Sequence, residues 1–298
     1  MLDITTIILT YNEEKHIRRC LENVCSFSKK VYVVDSPSTD NTVEICKDFP
    51  NVEVVIHKYP GNQAEQLNWA LENIDIQTKW TLRLDADEYL SAELIDEITK
   101  RLPELSSNVT GVVMPRWHYF MGKLMTFDKP AKILRLFRTG KATCEKRLMD
   151  EYMQLHEGGS IEFNNFFYDH TLSSVADYCN KHINYATREA VMQIDERYGL
   201  IKKNTENVEM GNAANCIRRK KAIYTKLPLF WRSFAFFLYL YIFRGACFGG
   251  SKTFIYVYMQ AFWYRTLVDS LILEIENNCN KDVSKMKKYI ELNFKIKL

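Results

Sequence analysis

Apolar positions in the first ninety residues fall into short continuous runs, separated by stretches of a different period. Ile4-Thr5-Thr6-Ile7-Ile8-Leu9, Val31-Tyr32-Val33-Val34, Val52 to Ile56 and Trp80-Thr81-Leu82-Arg83-Leu84 have the length and β-branched or aromatic content of buried strands. Between them, His16 to Val24 sets Ile17, Leu21 and Val24 on one helical face. Thr42 to Phe49 follows loop and cap residues at Ser36 to Asp40, and Gly61-Asn62-Gln63 opens a helix through Gln66, Leu67, Trp69, Ala70 and Leu71. Strands alternating with helices at this spacing predict an α/β domain on a mostly parallel, Rossmann-like sheet flanked by helices.

The middle of the chain continues in strands. Gly111 to Pro115 reads as one, followed by the aromatics Trp117, His118, Tyr119 and Phe120. Ile133 to Arg138 reads as another, and its partner precedes Met149-Asp150-Glu151-Tyr152. From Ser174 the period becomes helical, with an amphipathic helix from Lys181 to about Tyr198. Asn204 to Asn215 is polar without period and reads as a linker or loop. An aromatic and apolar run, Leu227 to Arg244, is interrupted at Arg232; a glycine turn at Gly245, Gly249 and Gly250 leads to a second aromatic helix, Phe254 to Leu273. Beyond Glu274 the chain is Lys-rich and reads as a solvated helical tail. The pattern divides the chain into an α/β domain over residues 1–165 and a helical region over 166–298.

Composition adds little to this picture. Of 298 residues 47% are apolar and 26% charged, and the net charge of +3 is too small to argue for a nucleic-acid partner. The eight cysteines include no CxxC pair, which argues against a structural zinc site and fits a reducing cytoplasm. No basic leader with an apolar core precedes the first strand, so a signal peptide is not expected. The cluster Arg218 to Lys221 with Lys226, beside the aromatic run, suits an in-plane helix on anionic lipid; a buried core helix or an oligomer interface would carry the same pattern. The uncharged part of that run is shorter than the roughly 20 residues of a membrane span.

Candidate chemistry gathers at strand ends. Asp85, Asp87 and Glu88 follow the fourth strand, and ligands of open α/β sheets bind at that edge. Asp85 and Asp87 stand two apart on a turning backbone, so both carboxylates can face one point. Such a pair suits Mg²⁺ or Mn²⁺, hard cations that keep water ligands and take the rest from phosphate; an acidic turn without a metal is the other reading. Thr10 to Glu13 and Asp35 are polar at two further strand ends. Asp35 suits a ribose hydroxyl or a base N–H, or else a turn. Neither GxGxxG nor GxxxxGK[ST] is present, which excludes the usual dinucleotide fingerprint and a P-loop. Arg135 and Arg138 suit either a diphosphate clamp or ion pairs. His156 and His170 fit structural hydrogen bonds better than catalysis.

Three blocks then carry a resemblance: Thr6-Ile7-Ile8-Leu9-Thr10-Tyr11-Asn12-Glu13-Glu14, Val33-Val34-Asp35-Ser36 with Ser38-Thr39-Asp40-Asn41-Thr42, and Leu84-Asp85-Ala86-Asp87-Glu88. In sequence and spacing they resemble family 2 glycosyltransferases of the GT-A fold. They cover about the first third of the chain. The resemblance implies a nucleotide-sugar donor, most often a UDP-sugar. Thr10, Tyr11, Asn12, Glu13 and Asp35 would hold the nucleoside, with Gln63 at the start of the third helix counted beside them. Asp85 and Asp87 would form the DXD motif, Asp87 being the direct ligand of Mn²⁺ or Mg²⁺. Pro37 stands where this family commonly has Gly, which stiffens that loop.

The segment Arg135 to Arg138 with Met149-Asp150-Glu151 resembles a subgroup that builds bacterial surface polysaccharide and lipopolysaccharide core. Glu151 is then the expected catalytic base of an inverting transfer and Asp150 its fallback or a substrate-binding residue. The acceptor implied is a saccharide or lipid-linked saccharide, and the location is cytoplasmic, at the inner face of the cell membrane. Gln260, Trp263 and Arg265 hold the letters of the processive QxxRW motif but not its order, so one sugar per encounter is expected. Two other readings keep parts of the pattern. A sugar nucleotidyltransferase would use the same crevice, but the acidic, Gly-free Thr10 to Glu14 turn is unsuited to a triphosphate. A membrane-docked scaffold with an inactive site would not need Asp85, Asp87 and Glu151.

Overall fold

The computed structural model describes residues 1–145, 149, 151–200, 219 and 221–296. They fold as two compact units: Met149 apart, the described residues up to Leu172 form the first and those from Ser173 the second.

The first unit runs β1 (Leu2–Thr10), α1 (Ile17–Val24), β2 (Ser28–Asp35), α2 (Thr42–Cys46), β3 (Val52–Ile56), α3 (Gln63–Asn73), β4 (Trp80–Asp85), β5 (Glu88–Leu90), α4 (Ala92–Arg101), β6 (Val109–Phe120), β7 (Lys123–Leu124), β8 (Ala131–Arg138), β9 (Ala142–Cys144), β10 (Met153–Leu155), β11 (Gly159–Glu162) and β12 (Phe167–His170). Among the described residues one sheet has the order β3-β2-β1-β4-β8-β6-β12-β5, with β7 and β11 added to β6. Its first four strands are parallel, as the alternation of strands and helices implies. Beyond β4 the sheet is mixed: β8 is antiparallel to both β4 and β6, β12 is parallel to β6, and β5 is antiparallel to β12.

β1 is buried on both faces, and its period of two explains how. Ile4 and Ile8 pack with Ile17 and Leu21 of α1 and with Leu94 and Ile98 of α4. Ile7 points the other way, to Leu67 and Ala70 of α3. Helices on both faces thus hold the strand ends in one plane. The aromatics after Pro115 do not leave the strand as the sequence pattern implied; β6 continues through them to Phe120.

The second unit is helical: α5 (Val175–Tyr198), α6 (Trp231–Leu238), α7 (Gly250–Val257), α8 (Tyr264–Cys279) and α9 (Val283–Phe294). Wider π-turns extend α6 through Tyr239–Phe243 and join α7 to α8 through Tyr258–Trp263. Ser174 and Asp177 form a capping box at the start of α5, and Gly199, at φ 67°, ends it in the left-handed region. Ala186, Ala190 and Ile194 of α5 meet Val268, Ile272 and Ile275 of α8.

Two expectations are corrected here. The Lys-rich tail is not simply solvated, because α9 buries Met286 and Ile290 in this core while its lysines face outward. Arg232 does not interrupt an exposed face: it is buried and ion-paired with Asp269, also buried. The polar stretch Asn204 to Asn215 and residues Arg218 and Lys220 of the basic cluster lie outside the described residues.

Candidate active site

The first loop of the site is a clasp between the ends of β1 and β2. Asn12 takes a left-handed backbone, φ 56°, which asparagine tolerates better than most residues. Its N–H donates to Ser38 Oγ (2.8 Å), and its side-chain oxygen accepts from the Thr39 N–H (2.8 Å). The Glu13 N–H donates to Thr42 Oγ1 (2.8 Å), and the Glu14 carboxylate accepts from the Asn41 side chain (3.0 Å). Asp35, fully buried, accepts from Thr10 Oγ1 (2.8 Å), the Ser38 N–H (2.7 Å) and Ser38 Oγ (2.6 Å). Its carboxylate therefore forms the turn, while Tyr11, at 61% exposure, stands open on the rim. Behind the clasp, His16 accepts the Leu172 N–H at Nε2 (2.8 Å), so its ring proton is on Nδ1, 2.6 Å from Glu13 Oε2.

Gln63 is exposed at the first turn of α3, which Asn62 caps through the N–H groups of Ala64 and Glu65. The neighbour that ties strand ends together is Gln66. It is buried and donates to Ser36 Oγ and to the His57 carbonyl, both at 3.2 Å.

At the end of β4 the acids separate into distinct roles. Asp85 and Asp87 are half-buried. Asp85 Oδ2 lies 3.1 Å from Arg135 and Oδ1 lies 3.6 Å from Arg83. Glu88 begins β5 and is fully buried; it accepts from Arg135 at 2.5 Å, from Arg116 at 3.5 Å and from the Asp85 N–H at 3.1 Å. Burial pushes the Glu88 carboxyl above its ordinary range, and Arg135 pulls against that shift. Arg135 is thus an ion-paired strand arginine at the site. Arg138 lies at the other end of β8, where it donates to the carbonyls of Val109, Leu105 and Ser106 and covers the Trp80 ring. Arg19 of α1 closes the turn from behind, donating to the backbone oxygens of Asp87 (3.1 Å) and His170 (2.6 Å).

Glu151 sits in the loop of the β9–β10 hairpin, half-buried, next to the residue whose carbonyl accepts the Glu145 N–H. That hairpin packs on α3 through Ala142, Cys144 and Met153, and Asn68 of α3 accepts the Cys144 N–H (2.7 Å) and donates to the Cys144 carbonyl (2.8 Å). Burial pushes the Cys144 thiol up to about 11, and the charges that bear on it next are Arg83, Glu151, Arg135 and Asp85. Glu151 accordingly shares an electrostatic neighbourhood with Asp85. Asp150 lies outside the described residues.

Next to Asp87 the sheet has two unlike faces. Tyr168 stands opposite Tyr89 and Trp117, and His170 opposite Tyr119. These five half-buried rings share one face; the Tyr119 and His170 rings stack at 4.2 Å, and Tyr89 lies 5.3 Å from Tyr168. On the other face, Asp169 lies 3.5 Å from Arg116 and 3.2 Å from His118 Nδ1. The His170 backbone N–H donates to the Asp87 carbonyl (3.0 Å), which places the aromatic face at the acidic turn. Burial, then Arg19, pushes His170 below its ordinary value, so its ring is neutral at pH 7. His156 is exposed, with its backbone N–H on the Lys141 carbonyl (3.0 Å).

Sequence reasoning did not find Arg19, Arg83, Asn68 or the aromatic face. The last had a readable signal, alternation of rings with charged or polar residues in Trp117-His118-Tyr119 and Tyr168-Asp169-His170. The others act through partners distant in the chain.

A sequence model of the family described as Glycosyl transferase family 2 matches residues 5–151. The SPbeta prophage-derived glycosyltransferase SunS of Bacillus subtilis (strain 168) is 33% identical over 165 residues, which cover 54% of this chain and 37% of SunS. The glycosyltransferase RT0209 of Rickettsia typhi is 41% identical over 98 residues, 33% of this chain and 32% of RT0209. The matched stretches thus span about a third of these relatives' own length. Among solved structures, S. aureus TarS 1–349 in complex with UDP covers 94% of this chain and 92% of its own, at a TM-score of 0.46 and 16% identity. Glucosyl-3-phosphoglycerate synthase from Mycobacterium tuberculosis in complex with Mn²⁺ and UDP-glucose covers 39% and 43%, at a TM-score of 0.32 and 16% identity.

Proposed function

Because the model of glycosyl transferase family 2 matches residues 5–151, we propose that this chain moves a sugar from a UDP-sugar to a saccharide or lipid-linked acceptor, with inversion and one sugar per encounter. Bacterial surface polysaccharide or lipopolysaccharide synthesis is the process that fits, and it puts the reaction on the cytoplasmic side, at the inner face of the cell membrane. The observation that carries the reading is the acidic turn at the end of β4, where Asp85 and Asp87 are half-buried and the Asp85 carboxylate lies between Arg83 and Arg135.

The donor side is the clasp together with the acidic turn. Backbone and side chains of Thr10 to Glu13 line the nucleoside end, and Asp35 holds their shape from beneath. Gln63, exposed beside the clasp, offers an amide to the donor. Asp85 and Asp87 present hard carboxylate oxygens that remain partly open, a donor set that fits Mn²⁺ or Mg²⁺ completed by diphosphate and water. Such an ion, when bound, neutralises the charge that develops on the departing diphosphate. Arg83 and Arg135 hold the Asp85 carboxylate in place from two sides.

On the acceptor side, Glu151 takes the proton of the attacking hydroxyl. The new carbon–oxygen bond forms on one face of the anomeric carbon as the bond to the diphosphate oxygen breaks on the other. The aromatic face of Tyr89, Tyr119 and Tyr168 beside Asp87 gives the acceptor ring a surface to lie on.

Calorimetric titration with UDP and GDP, with and without Mn²⁺, tests the donor half. UDP binding that requires Mn²⁺ and weakens by about tenfold or more in Asp87→Ala is the expected result. Binding indifferent to Mn²⁺ and to Asp87→Ala would remove the metal role. Binding of neither nucleotide would overturn the donor crevice.

A further inference from the structure

We propose that the hairpin formed by α6 and α7 in the second unit is a docking surface for a lipid bilayer rich in anionic headgroups. This inference does not depend on the catalytic reading. Four observations support it.

The first is exposure. Trp231 is 72% exposed, Phe243 78% and Phe248 91%, and Phe234, Tyr239 and Ile242 are exposed beside them. Single exposed apolar residues are ordinary, but a run of large rings along one hairpin marks an interaction surface.

The second is how the rings are held. Phe237 packs against Phe254, Tyr258 and Phe262 at 6.1–6.4 Å, and Tyr241 against Phe254 at 5.5 Å, which closes the hairpin on itself. At its base, Arg232 bonds to Asp269 through two nitrogens and to Gln193 (2.9 Å), and the Phe230 N–H donates to Asp269 (2.7 Å). With Arg232 and Ser233 fixed inward, Trp231 and Phe234 are turned outward.

The third is charge. From Met210 to Val268 the sequence contains nine Lys or Arg and no Asp or Glu. The interior members are neutralised by carboxylates from elsewhere: Arg232 by Asp269, and Lys221 and Arg265 by Glu189. Arg219 and Lys226 are exposed, in a stretch that carries no carboxylate of its own. Two copies joined through this face would set like charges against each other, which disfavours a self-complementary interface. An anionic bilayer satisfies both the rings and the cations, and Trp and Tyr suit its headgroup level.

The fourth is geometry. Among the described residues no single helix is long and apolar enough to cross a membrane. The pair Trp231–Phe243 and Ala246–Cys279 passes that test only together, bent by 67° at the break. Gly245, at φ 75°, makes that bend. A bent aromatic hairpin held to a helical core by a buried ion pair suits insertion to headgroup depth.

The test is flotation of the full chain with vesicles of phosphatidylcholine and phosphatidylglycerol in equal parts, and with phosphatidylcholine alone. The wild type should rise with the mixed vesicles and far less with the neutral ones. Phe243→Asp with Phe248→Asp should weaken binding about tenfold or more, and Arg219→Glu with Lys226→Glu should abolish the preference for the anionic lipid. All four positions are exposed, so unchanged circular dichroism should accompany each variant. Absence of the wild type from the floated fraction, or wild-type flotation by the Phe243/Phe248 double variant, would overturn the proposal. So would a vesicle-free mass of two chains that falls to one in that variant, which would make the occupant a second copy.

Discussion

Two fully buried carboxylates show what decides the role of an acid at this edge. Asp35 is satisfied by one hydroxyl of the neighbouring strand and by Ser38 in the next turn, so it shapes a loop. Glu88 is satisfied by Arg135 and by the backbone of Asp85, so it stiffens the turn on which Asp85 and Asp87 stand. Glu151 differs from both: it is half-buried on a hairpin loop, and it is the base proposed above. Replacing Glu151 by Gln keeps the shape and removes the proton acceptor. Transfer should then fall by about 10²–10⁴-fold, the usual contribution of a general base, with UDP affinity unchanged. Assaying turnover and UDP binding on the same preparation checks this, and near-wild-type turnover would exclude the role. Asp85 and Asp87 could be singled out from the sequence because their signal is local, two acids after a strand. The burial of Glu88 could not, because its partner Arg135 lies 47 residues downstream. A carboxylate in a strand gives no local sign that a distant cation will neutralise it.

The elements that carry the site differ in how firmly they are held. β1 and β4 are central and parallel, and their long apolar runs made them readable to within two residues. β5 and β12 are three and four residues long and carry Glu88 and Asp169, so neither period nor propensity marked them. The β9–β10 hairpin is shorter still relative to its task, and Asn68 bridges it to α3 from both sides of Cys144. Removing that bridge in Asn68→Ala leaves a buried N–H and a buried carbonyl without their partner, at about 1–3 kcal/mol. The hairpin carries Glu151 but none of the donor clasp. The variant should therefore lose kcat while keeping UDP affinity, a split read by steady-state kinetics beside calorimetry. An equal loss of both would mean that α3, rather than the hairpin, had moved.

At the scale of the whole chain, each unit has its own core and its own way of burying charge. In the first unit, ionic contacts converge on the sheet edge that bears the site. In the second they anchor the basic, aromatic segment to its helical support, since Glu189 of α5 and Asp269 of α8 supply the carboxylates the segment lacks. Glu189 is buried and accepts from Arg265 (3.0 Å), Tyr264 (2.9 Å) and Gln193 (3.2 Å). Burial alone would raise its pKa, but Arg265 and then Lys221 outweigh it and bring the carboxyl from 4.5 to about 2. A carboxyl lowered on folding stabilises the fold above its unfolded value, and that contribution is lost as pH falls through the folded value. The shift corresponds to an order of 3 kcal/mol. The second unit should therefore weaken between about pH 4.5 and pH 2. Glu189→Gln should be less stable than wild type at pH 7, because Arg265 and Lys221 lose their buried partner. It should also show a flatter dependence on pH in the acid range. Thermal midpoints by circular dichroism from pH 7 down to pH 2, for wild type and variant, test both expectations. Parallel pH curves would show that Glu189 does not anchor the segment electrostatically.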